Sequence, residues 1–453
     1  MKDPSPPATL PSTRSRQAWW WVLIVLGMLA TGIRLYYVTH VVVFQPANAP
    51  KAHGDAVDYY NYARNLVDHG VFSMSRPGAP RPVGDSYRDP GYPAFLAAWM
   101  EVFPQWDGWY AAVLFSQAIL SALTVVLWMG VGRRWMPLRW IAIAGLVMAI
   151  WPHNIAMSSD LMTETLFGFL VALALLVFGI ARSRNSVPWA IASGACFAMA
   201  ALTNAVLLPF AFLLAVYMLV QRQLCKPVAI ALVATALALT LPWSIRNAMQ
   251  PAGQTSSSDR AMMNLVQGSW PLYHSATKAS LILRDPRATQ VVDQIDHEII
   301  TLENSPMAGL HMMWSRMARA PASYLLWYMK KPAVLWGWNI RVGAGDIYFH
   351  VTYHSPFDVN PFWRGVAAVC HACNSILMLL ALVGCLLAIS RKDLVTGMGA
   401  TALLLVFVTA VYSVLQADPR YAIPYRGAEI MLAVFAVYLV LGKVNQVRKM
   451  PSL

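Results

Sequence analysis

The chain has 453 residues, of which 58% are hydrophobic and 12% charged, with a formal net charge of +13. Water-soluble domains carry about 25% charged residues, so most of this surface faces something other than water and a soluble globular protein is excluded. The basic residues sit in short clusters between apolar runs, with no basic stripe interleaved with aromatics, which fits membrane topology and argues against nucleic-acid binding.

Residues 1–17 are Pro/Ser-rich with Arg14 and Arg16 and read as a disordered inner tail. The apolar run 19–43 is too long for a signal-peptide core and lacks a small-x-small exit, so it is expected to be the first span rather than a cleaved leader. A polar stretch, 45–108, follows. Further spans are expected at 109–132, 138–157, 161–181, 187–203, 205–220 and 227–243. After a second polar stretch, 244–365, come spans at 366–390, 394–415 and 424–442. Each run approaches the roughly 20 residues that cross a ~30 Å hydrocarbon core. The expected fold is therefore all-α and integral to the membrane, with about ten transmembrane helices and two long loops. Its organisation is a tail (1–17), a catalytic module (18–243) holding the first loop, the second loop (244–365), and C-terminal helices with a short tail (366–453).

The short loops carrying Arg133–Arg134, Arg182 with Arg184, Arg222 with Lys226, Arg391–Lys392, and Lys443 with Arg448 and Lys449 all fall on one side, with both termini. The positive-inside rule makes that side cytoplasmic. Both long loops then share the outer, periplasmic face with the turns near Asp160, Asn204 and Asp418. In the first loop, Asp55, Tyr59, Tyr62 and Leu66 recur at helical spacing up to Gly70, and a second helix is expected at 92–103 after Pro90–Gly91. The intervening 73–91 is Pro-, Gly- and Arg-rich loop. In the second loop a helix is expected at 288–303. The aromatic segment 324–338, with Lys330, Lys331 and Pro332, reads as an interfacial helix. Cys370 and Cys373 read as small apolar residues on one helix face, because no further metal ligands lie near them.

The outer face gathers the ionisable residues that topology does not explain. Asp55 and Asp58 follow the first span; Asp160 and Glu164 stand at the outer start of the fourth, where each could also serve as a helix cap. A carboxylate at the membrane edge of an apolar helix needs a partner or a wet cavity. Arg88, Arg246 and Arg420 lie at outer helix ends, against the positive-inside trend. A guanidinium at a bilayer surface binds phosphate through paired hydrogen bonds; snorkelling to ordinary headgroups is the plain alternative. Lys330 and Lys331 would add positive field or simply anchor the surface helix. Displacement of a lipid phosphate needs this combination: a carboxylate to take the proton from an attacking hydroxyl and cations to stabilise the departing phosphate.

Five stretches together resemble the integral-membrane glycosyltransferases of the C-type fold: the protein O-mannosyltransferases, the lipid A aminoarabinose transferase and the lipopolysaccharide galacturonosyltransferases. They are Gly54-Asp55-Ala56-Val57-Asp58-Tyr59, Tyr87-Arg88-Asp89-Pro90-Gly91-Tyr92-Pro93, Ser159-Asp160-Leu161-Met162-Thr163-Glu164, Pro242-Trp243-Ser244-Ile245-Arg246-Asn247 and Asp418-Pro419-Arg420-Tyr421. The resemblance spans roughly 15–441. It implies Asp55 as catalytic base and Asp160 as a second acid. It implies Arg88, Arg246 and Arg420 around the donor phosphate; Tyr421 and Lys330 are expected beside them, and Asp58, Tyr59, Tyr87, Glu164 and Asn247 around acceptor and sugar. The implied reaction is inverting transfer from a polyprenyl-phosphate sugar, undecaprenyl phosphate being the expected carrier in a bacterial inner membrane. The acceptor would be a glycan, a lipid such as lipid A, or a protein. Two positions depart from the pattern: Thr203–Asn204 stand where relatives carry a basic residue, and Asp89 where relatives often have proline. No cofactor is expected to be required, although Asp55, Asp58, Asp85, Asp89, His53 and Asp160 offer oxygen-rich ligands for a divalent cation. The rival reading is a transporter or flippase of lipid-linked sugar, which predicts functional charges on both faces.

Overall fold

The computed structural model describes residues 13–43, 54–251, 253–339, 352–390 and 398–447. It is helical almost throughout. The elements are α1 (Thr13–His40), α2 (Asp55–His69), α3 (Gly91–Val102), α4 (Trp106–Gly132), α5 (Leu138–Ile150), α6 (Pro152–Ala156), α7 (Glu164–Arg184), α8 (Val187–Thr203), α9 (Phe210–Val220) and α10 (Lys226–Ala248). There follow α11 (Ser257–Ser269), α12 (Tyr273–Lys278), α13 (Pro286–Asn304), α14 (Pro306–Ala318), α15 (Pro321–Leu335), α16 (Pro356–Val359), α17 (Pro361–Ser390), α18 (Met398–Val414) and α19 (Arg426–Val447). The β-structure among the described residues is one short antiparallel pair, Val42–Val43 with Thr352–Tyr353, and an isolated bridge between Ser86 and Ser256.

Every one of the ten apolar segments expected from sequence holds an apolar helix. Six are long and apolar enough to cross a membrane, and the bent pair 138–150 with 152–159 makes a seventh. The other three, Val187–Thr203, Ala205–Val220 and Met398–Val414, are shorter. The chain is a multi-pass membrane protein. The helices 92–103 and 288–303 expected in the loops are present as α3 and α13, and α15 covers most of the aromatic segment. His53, Arg391, Lys392, Arg448 and Lys449 lie outside the described residues.

Lipid tails are as apolar as leucine, so close backbone approach has to supply much of the helix association. Gly194 shows it: a Cβ there would stand 2.5 Å from the Leu232 carbonyl oxygen, which lets α8 lie directly on α10. The bend between α5 and α6 has a covalent cause. Pro152 lacks the N–H that would reach the Met148 carbonyl, and it biases Trp151 to extended backbone (φ −69°, ψ 116°). Arg34, wholly buried in α1, fills the gap. It donates to the carbonyls of Met148 (3.4 Å) and Ala149 (3.0 Å) and to Ser121 Oγ (2.7 Å). The bent segment then turns back through Ser158 and Ser159 to start α7 at Glu164. At the other side of the bundle, buried Arg426 pairs with Glu429 at 2.7 Å and donates to the Trp336 and Gly337 carbonyls, tying the end of α15 to α19.

The second loop packs as its own small cluster of Val266, Ile295, Ile299, Leu302 and Met313. Its hinge is ionic: Arg316 of α14 meets Glu298 of α13 at 2.9 Å, and Trp270 donates to the same carboxylate at 2.6 Å. A capping box of Ser256 and Asp259 starts α11. Lys331, fully buried, donates to the carbonyls of Gly268 and Leu415 and so fastens α15 to α11 and α18.

Candidate active site

Gly54 opens α2 with φ +102°, a conformation that side chains rarely adopt, so the helix begins abruptly with Asp55 in its first turn. Two carboxylates there, Asp55 and Asp58, meet the positive end of the helix. The loop 73–91 is shaped around Asp85, whose carboxylate accepts from Tyr62, from the Met74 N–H (2.7 Å) and from the Tyr87 N–H (3.2 Å). Arg246, at the end of α10, donates to the Asp85 carbonyl and to the Phe72 carbonyl (3.1 Å), with its guanidinium over Trp243. The result presents Arg88 between the rings of Tyr59 and Tyr87, at 5.2 and 5.1 Å. From the other side of the bundle, the Asp418 side chain caps the Arg420 N–H (2.9 Å) and starts the 3₁₀ segment Pro419–Tyr425.

These elements converge on Asp55. Arg88 donates to its Oδ1 at 2.5 Å and Arg420 to its Oδ2 at 2.7 Å. Arg88 also reaches Asp58 (2.6 Å), and Arg420 reaches Glu164 (3.3 Å). Of these five charged groups Asp55, Arg88, Glu164 and Arg420 face a cavity of about 480 Å³, which Tyr59, Asn204, Arg260, Asn264, Gln416 and Tyr421 also line. Burial raises the Asp55 carboxyl, but the guanidiniums of Arg420 and Arg88 outweigh it and hold Asp55 well below the usual carboxylate range. For Asp58 burial prevails over Arg88 and the carboxyl is raised. The two acids that share Arg88 are thus pushed in opposite directions, Asp55 down and Asp58 up.

Asp55, Arg88, Arg420, Tyr421, Tyr59 and Glu164 all line the cavity. The other candidates do not. Asp58 and Tyr87 stand behind Arg88. Asp160 is buried beside the cavity with one carboxylate oxygen lacking a hydrogen-bond partner, and burial, with Glu164 nearby, raises it well above the usual range. Arg246 is spent on backbone carbonyls, and Asn247 accepts from it at 3.2 Å. Lys330 is exposed on α15; its neighbour Lys331 is the buried one, pushed down to about 8 by burial.

Arg260 belongs to none of the motifs that mark the site in the sequence. It sits in the first turn of α11, pairs with Asp89 at 2.8 Å and lines the same cavity as Asn204. Asp89 also accepts from the Ala205 N–H (3.2 Å), so it links the first loop to the 3₁₀ turn between α8 and α9 and fixes Arg260. A third cation therefore stands by the position where Thr203–Asn204 lack one. The only hint in the sequence is one arginine closing a Ser/Gly-rich loop. Among the described residues no group of three or more His, Cys, Asp or Glu could hold a metal ion. Asp85 and Asp89 are engaged by the donors named above, and Asp55 and Asp58 by arginines.

Residues 86–245 match the sequence profile of the family described as dolichyl-phosphate-mannose-protein mannosyltransferase. No curated protein matches the chain. Among solved structures, the apo oligosaccharyltransferase of Archaeoglobus fulgidus aligns over 97% of this chain and 52% of its own, at 13% identity and a TM-score of 0.53. The same protein with zinc and sulfate gives 94% and 50%, 15% identity and 0.52. ArnT from Cupriavidus metallidurans, in the apo state, aligns over 94% and 78% at 17% identity, with a TM-score of 0.38. The chain spans about half the length of the oligosaccharyltransferase structures it matches. The likeness to the C-type integral-membrane glycosyltransferases read from the motifs holds at the level of the fold.

Proposed function

We propose that this chain is an inverting glycosyltransferase that moves a sugar from a polyprenyl-phosphate donor to a cell-envelope acceptor on the periplasmic face of a bacterial inner membrane. The observation that carries it is the Asp55 carboxylate held by Arg88 and Arg420 in a cavity that also holds Glu164 and Arg260. The name of the matched family, with dolichyl-phosphate-mannose as donor, supports the donor class.

The site residues suit the chemistry. The donor is a phosphodiester with one negative charge; the departing polyprenyl phosphate carries up to two. Arg88, Arg420 and Arg260 would stabilise the charge that grows as the bond between the anomeric carbon and the phosphate oxygen breaks. The acceptor hydroxyl forms the new bond from the opposite face, and its proton passes to Asp55. A carboxylate gripped by two arginines is a weak base. Donor phosphate offers the same guanidiniums competing oxygens, so its arrival loosens Asp55 and raises its proton affinity when the base is needed. Tyr59 and Tyr87 keep Arg88 aimed during that exchange. The family resemblance gives Asp160 an acid role in the cavity; the geometry favours Glu164 for a cavity-facing carboxylate, with Asp160 supporting it from behind.

The test uses purified protein in liposomes with polyprenyl-phospho-sugars bearing different sugars. The expected result is stoichiometric release of polyprenyl phosphate when a suitable acceptor is present. Movement of intact lipid-linked sugar between leaflets, with no carrier phosphate released from any donor, would instead establish a flippase.

A further inference from the structure

A second cavity, of about 610 Å³, lies at the opposite end of the bundle, where the start of α1, the ends of α4 and α7 and the start of α18 meet. Its polar lining is one-sided. Arg133, Arg134 and Arg182 contribute to the wall, and among the described residues no Asp or Glu does. Among the described residues none of the three makes an ion pair. Arg133 lies over Trp19 at 4.6 Å, and Arg134 reaches only the Gly179 carbonyl at 3.5 Å. Arg182 spends Nη1 on Gln223 (3.1 Å), and its buried Nε has no hydrogen-bond partner. Below the arginines the wall turns apolar along the membrane direction, through Leu23, Leu127 and Leu176.

Topology alone asks for basic residues at an inner helix end, but it asks for them in water. Here a half-buried guanidinium keeps an unused donor, two others converge on the same space, and tryptophan rings stand beside them. Guanidiniums bind phosphate oxygens in paired fashion, and indole rings favour the headgroup level of a bilayer. We propose that this cavity is a binding site for an anionic phospholipid of the inner leaflet. The phosphate would sit on Arg133, Arg134 and Arg182, and an acyl chain would lie along Leu127 and Leu176. The site is separate from the candidate active site and stands whether or not the proposed transfer reaction does.

The test is native mass spectrometry of the full chain in detergent, titrated separately with phosphatidylglycerol and phosphatidylcholine, with inorganic phosphate as competitor. Wild type should retain phosphatidylglycerol at least about tenfold more tightly than phosphatidylcholine, and high salt should erode the preference. Joint substitution Arg133→Gln and Arg182→Gln should abolish it while leaving phosphatidylcholine retention unchanged. If that variant does not fold, Arg182→Lys serves: it keeps the charge but loses the fork, and should weaken phosphatidylglycerol alone. Equal retention of the two lipids by wild type, or an undiminished preference in a folded variant, would overturn the proposal. Competition by millimolar inorganic phosphate as effective as that by the lipid would also overturn it, assigning the site to a soluble anion.

Discussion

Arg420 touches both cavity carboxylates, at 2.7 Å from Asp55 and 3.3 Å from Glu164, so its removal should be read first in the protonation of Asp55. A cation at this range lowers a carboxylate pKa by about 1–3 units. Arg420→Gln should therefore return Asp55 from its depressed value toward the ordinary range near 4. The sign for stability follows. A depressed folded pKa contributes stability above the unfolded value and loses it as pH falls through the folded value. Arg420→Gln shrinks that contribution, so at neutral pH the variant should be less stable by about 1–3 kcal/mol, toward the lower end because about a quarter of the Asp55 side chain is exposed (24%). The assay is kcat/KM for donor cleavage across pH, with the thermal midpoint measured alongside. The acid limb of the profile should move up by about one unit or more, together with a loss of rate from the missing phosphate contact. A folded variant whose acid limb stays where wild type has it would refute the account of Asp55 as a carboxylate held low by Arg420.

Other predictions concern the scaffold. Arg34→Met strands the Met148 and Ala149 carbonyls at the α5–α6 bend and should lower stability by about 2–4 kcal/mol, read as a fall in thermal midpoint, since a buried unsatisfied acceptor costs roughly 1–3 kcal/mol. Gly91→Ala places a methyl 2.5 Å from Thr203 Oγ1 and 3.0 Å from the Leu202 carbonyl. It should cost about 1–3 kcal/mol by overpacking and shift the adjoining Arg88–Asp89 segment, so donor KM rises as stability falls. Arg426→Gln leaves Glu429 buried and unpaired and should cost about 3–5 kcal/mol; adding Glu429→Gln should recover much of it in a double-mutant cycle.

Much of the fold was legible because a bilayer imposes a single coarse rule. Backbone groups in hydrocarbon must be satisfied within the segment, so apolar runs become helices and their ends fall near charges. The bounds of α8 and the C-terminal ends of α4 and α17 follow from this, and Gly70 stops α2 as its sequence suggests. The bend at Pro152 was less visible, because a proline there ends a helix or kinks a continuous span with equal ease until Arg34 is seen to satisfy the freed carbonyls. In the site, Asp55, Arg88 and Arg420 were legible through the short motifs that carry them, Gly54-Asp55, Tyr87-Arg88-Asp89-Pro90-Gly91 and Asp418-Pro419-Arg420-Tyr421, since in a polar loop a charge alone is not conspicuous. Arg260 was not, since a polar loop hides an arginine among residues that cost nothing. The choice between Lys330 and Lys331 depended on the rotation of α15, and adjacent helical residues point about 100° apart. Arg246 looked like a phosphate ligand for a sound reason, its place at the membrane edge. What decides its role is the loop folded over it, whose carbonyls the sequence does not place.

The most direct test of the central claim is donor cleavage by Asp55→Asn beside wild type, in membranes supplied with labelled polyprenyl-phospho-sugar and acceptor, with equal folded protein confirmed. Loss of transfer and of carrier release by about 10²–10⁴-fold, the usual contribution of a general base, is the predicted result. Transfer at the wild-type rate would contradict the account by removing Asp55 from the chemistry.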